Sequence, residues 1–181
     1  IYQLELQNYH SILNFDIASI ISSSTLIKDK IFLICTNGKK DKCCAKFGLP
    51  IYQEFKRYAE KNTWQCSHVG GDRFAANLIT LPFCNYYGFV EKTDVKEIIK
   101  STKEEKLFIS KYRGRSCFSS NIQAGDYFLR VKLNIDKITM LKCLDVETTI
   151  SNKEYKILFE NTLTKEKYQI HLAKQKVPIC N

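Results

Sequence analysis

Two short segments of the chain carry residues that suit a metal centre. Cys35 and Cys44 are separated by eight residues, and His68 is followed four positions later by Asp72. Thiolates, imidazoles and carboxylates are the side chains that hold transition metals and iron–sulfur clusters. If each segment follows a strand, the two loops meet at one end of a sheet. The spacing therefore indicates a metal or cluster site built from two loops.

Glycines between His68 and Asp72 strengthen this interpretation. Gly70 and Gly71 predict a turn, and glycine lets a backbone come close to a bulky cofactor without a Cβ clash. Simpler explanations exist for the same residues, because free cysteine is often buried and a single histidine is often a hydrogen-bonded structural residue. From these residues alone, both interpretations stay open.

The elements that must position these residues follow the order strand, helix, strand, β-hairpin, helix. This order predicts a thioredoxin-like α/β (α+β) domain, in which helices flank a central mixed sheet. Apolar spacing and turn signals define each element. The predicted ranges are Ile31–Cys35, then Cys44–Lys61 with Pro50 in its first turn, Thr63–Val69, Asn77–Leu81, Tyr86–Val90 and Thr93–Ser101.

The second half predicts a small α+β region with antiparallel strands. A helix is expected over Ser120–Val131, followed by alternating strands that polar turns separate. A domain boundary near Lys100–Lys106 gives a first domain of residues 1–106 and a second of 107–181. The predicted strands are Ile138–Val146, Glu154–Phe159 and Lys167–Leu172.

Composition limits the class of protein. The chain has 181 residues, 44% of them hydrophobic, and no run approaches the roughly 20 apolar residues that span a bilayer. No secretory signal is visible, and the first residue, Ile1, predicts that the sequence begins inside a longer protein. Eight unevenly spaced cysteines favour free thiols or ligands in a reducing compartment over a disulfide scaffold. We therefore expect a cytoplasmic protein without membrane contact.

The net charge of +9 is scattered, and no nucleic-acid-binding motif accompanies it, so we expect no nucleic-acid partner. The densest basic cluster lies between the two cysteines and just beyond them, at Lys39, Lys40, Lys42 and Lys46. Such a cluster favours a thiolate or an anionic centre and attracts an acidic partner protein. A solvated loop explains the charges equally well.

Three motifs resemble the sucraseferredoxin-like family, whose members contain a thioredoxin-like ferredoxin domain. They are Cys35-Thr-Asn-Gly-Lys-Lys-Asp-Lys-Cys-Cys-Ala, Cys66-Ser-His-Val-Gly-Gly-Asp-Arg-Phe-Ala-Ala-Asn and Tyr112-Arg-Gly-Arg-Ser-Cys117. Weaker similarity extends through the predicted hairpin and the Gln123–Arg130 segment to Pro178-Ile-Cys180. The resemblance implies an electron-transfer protein that carries a [2Fe–2S] cluster and works with a redox partner protein.

The resemblance also implies a ligand set. Cys35 and Cys44 would hold one iron, and His68 with Asp72 the other. The family pattern has a second histidine where this chain has Asp72, which is a harder, anionic donor that lowers the potential. Cys66 is an alternative ligand.

Four residues lie in the motifs without being metal ligands. They are interpreted as cofactor-binding: Gly70, Gly71, Arg113 and Arg115. The two arginines belong to the third motif, where they suit either an anion-binding patch or a structural turn that arginine hydrogen bonds hold together.

Other functions are compatible with the same fold. A cluster-free thiol redox protein would use Cys43 or Cys44 at a helix start near four lysines, although the chain has no Cys-x-x-Cys motif. A scaffold domain would have lost the cluster through the Asp72 change. A zinc site formed by Cys35, Cys44 and His68 also has suitable ligand chemistry.

Overall fold

The computed structural model describes residues 1–3, 5–14, 16, 25–148 and 154–173. Within these ranges the chain forms three sheets and three α-helices. Near the N-terminus, β1 (Tyr2–Gln3) pairs antiparallel with β2 (Thr25–Leu26). The motif at Pro178-Ile-Cys180 lies outside the described residues.

A five-stranded mixed sheet forms the centre of the molecule, in the order β4-β3-β5-β6-β7. Its first two strands in the chain run parallel, and the other pairs are antiparallel. The order β4-β3-β5-β6 is that of a thioredoxin-like sheet, and β7 is added at the edge next to β6. The strands are β3 (Ile31–Cys35), β4 (Thr63–Cys66), β5 (Leu78–Leu81), β6 (Asn85–Tyr87) and β7 (Tyr112–Arg115).

Two helices cover this sheet with apolar faces. The helix α1 (Lys42–Tyr58) and the helix α2 (Val95–Lys103) pack against each other. Their buried residues recur at helical spacing, so each helix presents one stripe to the core. The core includes Phe32, Ile34, Ile51, Phe55, Leu78, Tyr87, Val95 and Ile98.

The predicted order of elements is confirmed, but the position of Pro50 is not. The prediction placed Pro50 in the first turn of a helix that starts at Cys44. The helix starts instead at Lys42, because Asp41 is its N-cap and its carboxylate accepts the Cys43 N–H at 2.7 Å. Pro50 is therefore inside α1, where tertiary packing outweighs the lost backbone hydrogen bond. The second predicted strand is also shorter, because it ends at Cys66 rather than Val69.

The predicted antiparallel sheet of the second half is confirmed. Its order is β10-β9-β8, and α3 (Ser120–Leu133) packs on it through Leu129, which joins a second core cluster with Ile157 and Phe159. The strands are β8 (Leu141–Thr148), β9 (Glu154–Asn161) and β10 (Lys167–Ala173).

The division into residues 1–106 and 107–181 stays a prediction. The strand β7 follows that boundary in the chain and pairs with β6 in the central sheet. No helix in the described ranges is both long and apolar enough to cross a membrane.

Candidate metal centre

The side chains of Cys35, Cys44 and His68 converge beside the end of β3. Their ligand atoms all lie within 4.8 Å of one another, and Cys44 Sγ is 3.5 Å from His68 Nδ1. Both cysteines are buried, whereas His68 is half-buried. The structure therefore brings together two soft sulfur donors and one imidazole from three separate segments.

Helix α1 is held tightly against the strand that carries Cys35. Cys35 is the last residue of β3, and Cys44 lies in the first turn of α1. Between them the loop contacts β4, where the Thr36 hydroxyl donates to Gln65 Oε1 at 2.7 Å. A Cβ atom at the buried Gly48 would collide with the carbonyl oxygen of Cys35. Glycine at this position is what lets α1 approach close enough for the two thiols to meet.

The loop that carries His68 turns at two glycines in the left-handed region. Gly70 has a φ of +80° and Gly71 a φ of +68°, which side chains rarely adopt. A short 3-10 helix, Asp72–Phe74, starts directly after the turn. Asp72 is exposed and is not one of the three residues whose ligand atoms converge in the described part of the chain. Its role as a fourth ligand stays a prediction.

Asn77 connects the two ligand-bearing segments, and the sequence analysis assigned it no role. This side chain is 1% exposed. The Asn77 carbonyl accepts the N–H of Cys35 at 3.0 Å, and its side-chain amide donates to the Gly71 carbonyl at 2.8 Å. Its Oδ1 atom accepts a 2.7 Å hydrogen bond from Arg113. One residue therefore fixes Cys35 and the turn after His68 relative to each other.

The two motif arginines have different surroundings. Arg115 donates to the Phe83 carbonyl at 3.2 Å and lies over the Phe118 ring, which resembles the structural turn considered from the sequence. Arg113 instead reaches Asn77, with its guanidinium 4.0 Å from the centre of the Phe74 ring. Arg113 thus supports the residue that connects the ligand segments, and Arg115 does not contact it.

Burial, rather than the nearby lysines, governs the cysteine thiols. Burial raises the pKa of Cys44 to about 12, and the neighbouring Cys35 adds to the shift. Burial likewise raises the pKa of Cys66 to about 11. The pKa of the exposed Cys43 is also raised, chiefly by its interaction with the Asp41 carboxylate. These shifts run against the lysine-activated thiolate considered at Cys43 or Cys44.

The substitution Asp41→Asn is expected to speed the alkylation of Cys43 by iodoacetamide near neutral pH. The side-chain hydrogen bond with Asp41 is the largest cause of the raised pKa of Cys43, and the Asp41 charge adds to it. Replacing the carboxylate with a neutral, weaker acceptor lowers that pKa and increases the thiolate fraction. Asparagine caps helices about as well as aspartate, so α1 is kept. The measurement is the rate of Cys43 modification against pH by mass spectrometry. Asp29→Asn, an exposed site before β3, serves as the control, and an unchanged pH profile in Asp41→Asn would contradict the prediction.

Strand order, helices and ligand group together define a thioredoxin-like α+β protein with two cysteines and one histidine converging at one end of its central sheet. The chain belongs to the Sucrase/ferredoxin-like family, whose sequence pattern matches residues 4–114. The matched region includes all three converging residues and ends inside the Tyr112–Cys117 motif.

One curated relative is "Altered inheritance of mitochondria protein 32" from Meyerozyma guilliermondii. It is 32% identical to this chain over 99 residues. The similar region covers 49% of this chain and 35% of that protein. The chain thus spans about a third of the length of this relative.

Solved structures with a similar arrangement include a thioredoxin-like [2Fe-2S] ferredoxin from Aquifex aeolicus. One such structure is 15% identical, has a TM-score of 0.43, and covers 50% of this chain and 94% of that one. The wild-type ferredoxin at 1.5 Å is 14% identical, also with a TM-score of 0.43, and covers 49% and 100% of the two chains. Similarity of this extent does not say what the present chain binds.

Proposed function

We propose that this chain is an electron-transfer protein that carries a [2Fe–2S] cluster. The observation that supports the proposal most directly is the convergence of Cys35, Cys44 and His68 within 4.8 Å. Clusters that have two thiolates on one iron and imidazole on the other are known. Their reduction potential is higher than that of clusters held by thiolates alone. When bound, the cluster would supply one-electron transfer.

By donor type, Cys35, Cys44 and His68 suit three of the four ligand positions of this cluster. Asp72 is the proposed fourth ligand, and its exposed carboxylate directly follows the two glycines with positive φ. A carboxylate in this position would lower the potential and hold iron less firmly than a histidine. Burial of both cysteines keeps water from the inner side of the site, whereas His68 and Asp72 face the outer side.

We further propose that the partner is an acidic redox protein. Four lysines around the first ligand loop, at 39, 40, 42 and 46, are all exposed. Positive charge beside the site would speed the encounter with an acidic surface, mainly through the association rate. Electron transfer should then slow as ionic strength rises, because salt screens exposed charges.

Anaerobic reconstitution with iron and sulfide tests the cluster proposal. We expect visible charge-transfer absorption that bleaches with dithionite, and equal amounts of iron and sulfide in the sample. Asp72→His should raise both cluster retention and potential, whereas Asp72→Ala should lower retention. A colourless protein without iron or sulfide after reconstitution would contradict the proposal and favour the scaffold alternative.

A single zinc ion is the second candidate, and one distance favours it. Around a tetrahedral zinc, with Zn–S of about 2.3 Å and Zn–N of about 2.1 Å, the sulfur-to-nitrogen separation is roughly 3.6 Å. The Cys44 Sγ to His68 Nδ1 distance of 3.5 Å is close to that value. Elemental analysis distinguishes the candidates: zinc without sulfide supports the single ion, and matched iron and sulfide support the cluster.

The substitution Asn77→Ala is expected to weaken metal binding about 10–100-fold, as loss of a residue that orients ligands commonly does. Without Asn77, the turn after His68 loses its 2.8 Å hydrogen bond at the Gly71 carbonyl. The measurement is metal affinity by chelator competition. Asn85→Ala is the matched control, because Asn85 is equally buried but bonds to Thr80 instead. Equal losses of metal affinity in the two variants would show a general stability effect and contradict the prediction.

A further inference from the structure

A cavity lies beside the Gly70–Gly71 turn, and the three converging ligands do not line it. Its volume is about 280 Å³, and Gly70, Gly71, Arg113, Ser116 and Gln123 contribute to its lining. The cavity therefore calls for an explanation separate from the metal centre.

The only charged side chain in this lining is the guanidinium of Arg113. Arg113 is half-buried, and within the described part of the chain its side chain donates one hydrogen bond, to the neutral Asn77. The ion pairs identified among the described residues do not include Arg113. Burial, together with the nearby charge of Arg73, lowers the pKa of Arg113, as expected for a cation that is partly removed from water.

Other hydrogen-bond donors lie at the same cavity. The backbone N–H groups of Gly70 and Gly71 donate to no backbone acceptor in the described ranges. Both residues have positive φ, and successive N–H groups in such turns form concavities that bind anions. A Cβ atom at Gly70 would meet nothing within 4 Å, so this side of the turn is open. The Ser116 hydroxyl adds a further donor to the lining.

We propose that this cavity binds a small oxyanion, the phosphate or carboxylate group of a small molecule. The Arg113 guanidinium would bind two of its oxygen atoms, since the fork of N–H groups matches both phosphate and carboxylate. The N–H groups of Gly70 and Gly71 would complete the site. A bound oxyanion would connect β7 to the turn that follows His68.

Titration of the metal-free chain tests this proposal without any reliance on the cluster. Inorganic phosphate and malonate are added separately at constant ionic strength with chloride, so that general screening stays fixed. The readout is the amide shifts of Gly70 and Gly71 in 1H–15N NMR spectra, with calorimetry for the affinity. We expect saturable shifts at both glycines. Saturation by phosphate alone assigns a phosphate ligand, and saturation by malonate alone assigns a carboxylate.

Arg113→Gln should weaken the binding roughly tenfold or more, as loss of a charged hydrogen-bond partner does. Arg57→Gln is the control, because Arg57 is an exposed arginine of α1 that does not line the cavity; the anion affinity of this variant should equal that of the wild type. No saturable shift with either anion, or equal affinity in wild type and Arg113→Gln, would overturn the proposal. The wild-type titration decides the question even if Arg113→Gln fails to fold.

Discussion

Serine at Cys35 or at Cys44 is expected to abolish metal or cluster binding, and either substitution alone should suffice. Each thiol supplies one of only three converging donors in the described part of the chain, so a single loss leaves a sulfur and an imidazole. A serine hydroxyl is a harder, poorer ligand that stays protonated near neutral pH. The loss should exceed the roughly 10–100-fold effect of a supporting residue.

The measurement is metal and sulfide content after reconstitution of each variant, together with the absorption spectrum. Cys43→Ser is the matched control, since Cys43 is adjacent to Cys44 but exposed and outside the group. Cys66→Ser tests the alternative ligand, because Cys66 is the direct neighbour of Cys35 across β3 and β4. Retention of iron by both Cys35→Ser and Cys44→Ser would contradict the ligand assignment. Loss of iron in Cys66→Ser, with iron retained in the other variants, would assign Cys66 as a ligand instead.

If these cysteines bind a metal, the metal affinity should depend on pH. Burial raises the pKa of Cys44 to about 12, so the metal-free thiol is protonated at neutral pH. A metal must displace that proton, and its affinity therefore falls as the pH falls. The same burial makes Cys44 a poor free nucleophile, which separates the metal proposal from the thiol redox alternative.

Local patterns were enough to predict the elements that position the site. The apolar run Ile31–Cys35 reads as a buried strand, and it is the central β3. The order of strands and helices along the chain was sufficient to predict the mixed sheet, because short connections leave few alternative topologies. The residues alone left a purely structural role for Cys35 and His68 open, and the ligand set that contains the three converging residues was implied by the resemblance to the sucraseferredoxin-like family.

Contacts between distant residues could not be predicted in the same way. The hydrogen bonds of Asn77 join segments that only the folded sheet brings together, and no periodic pattern marks such a residue. The lysines near Cys43 in the sequence favoured a thiolate there, whereas the contact that most affects its pKa is with Asp41, which raises it. Pro50 was predicted in the first turn of a helix because proline is favoured there. In the structure it lies inside α1, where packing of the helix on the sheet overrides that preference.

The sequence also did not predict a buried ion pair in α3. Removal of this pair should have the largest effect on the stability of the fold. Asp126 and Arg130 are 0% and 1% exposed. Arg130 Nε lies 3.0 Å from both carboxylate oxygens, and the Tyr112 hydroxyl donates to the same carboxylate at 2.8 Å. Arg130 also donates to the Ile138 carbonyl at 3.1 Å. The pair thus connects α3 to β7 and to the segment before β8.

Asp126→Ala is expected to lower the free energy of unfolding by about 3–5 kcal/mol, the usual cost of leaving one buried charge without its partner. For a chain of this size the melting temperature should fall by roughly 6–20 °C. Thermal and denaturant unfolding measure both. Tyr112→Phe is the control, since it removes one hydroxyl and leaves the ion pair, and it should cost about 1 kcal/mol.

A double substitution separates the unpaired charge from lost packing. If the unpaired Arg130 causes the loss, Asp126→Ala combined with Arg130→Met should be no less stable than Asp126→Ala alone, because the uncompensated cation is gone. If the double variant instead loses as much stability as Asp126→Ala and Arg130→Met together, lost packing of the side chains accounts for the effect and the ion-pair explanation fails.

The ion pair also has a consequence for the oxyanion site. Through Tyr112 the pair contacts β7, the strand that carries Arg113. Loss of the pair should therefore weaken oxyanion binding more than it weakens metal binding at Cys35 and Cys44.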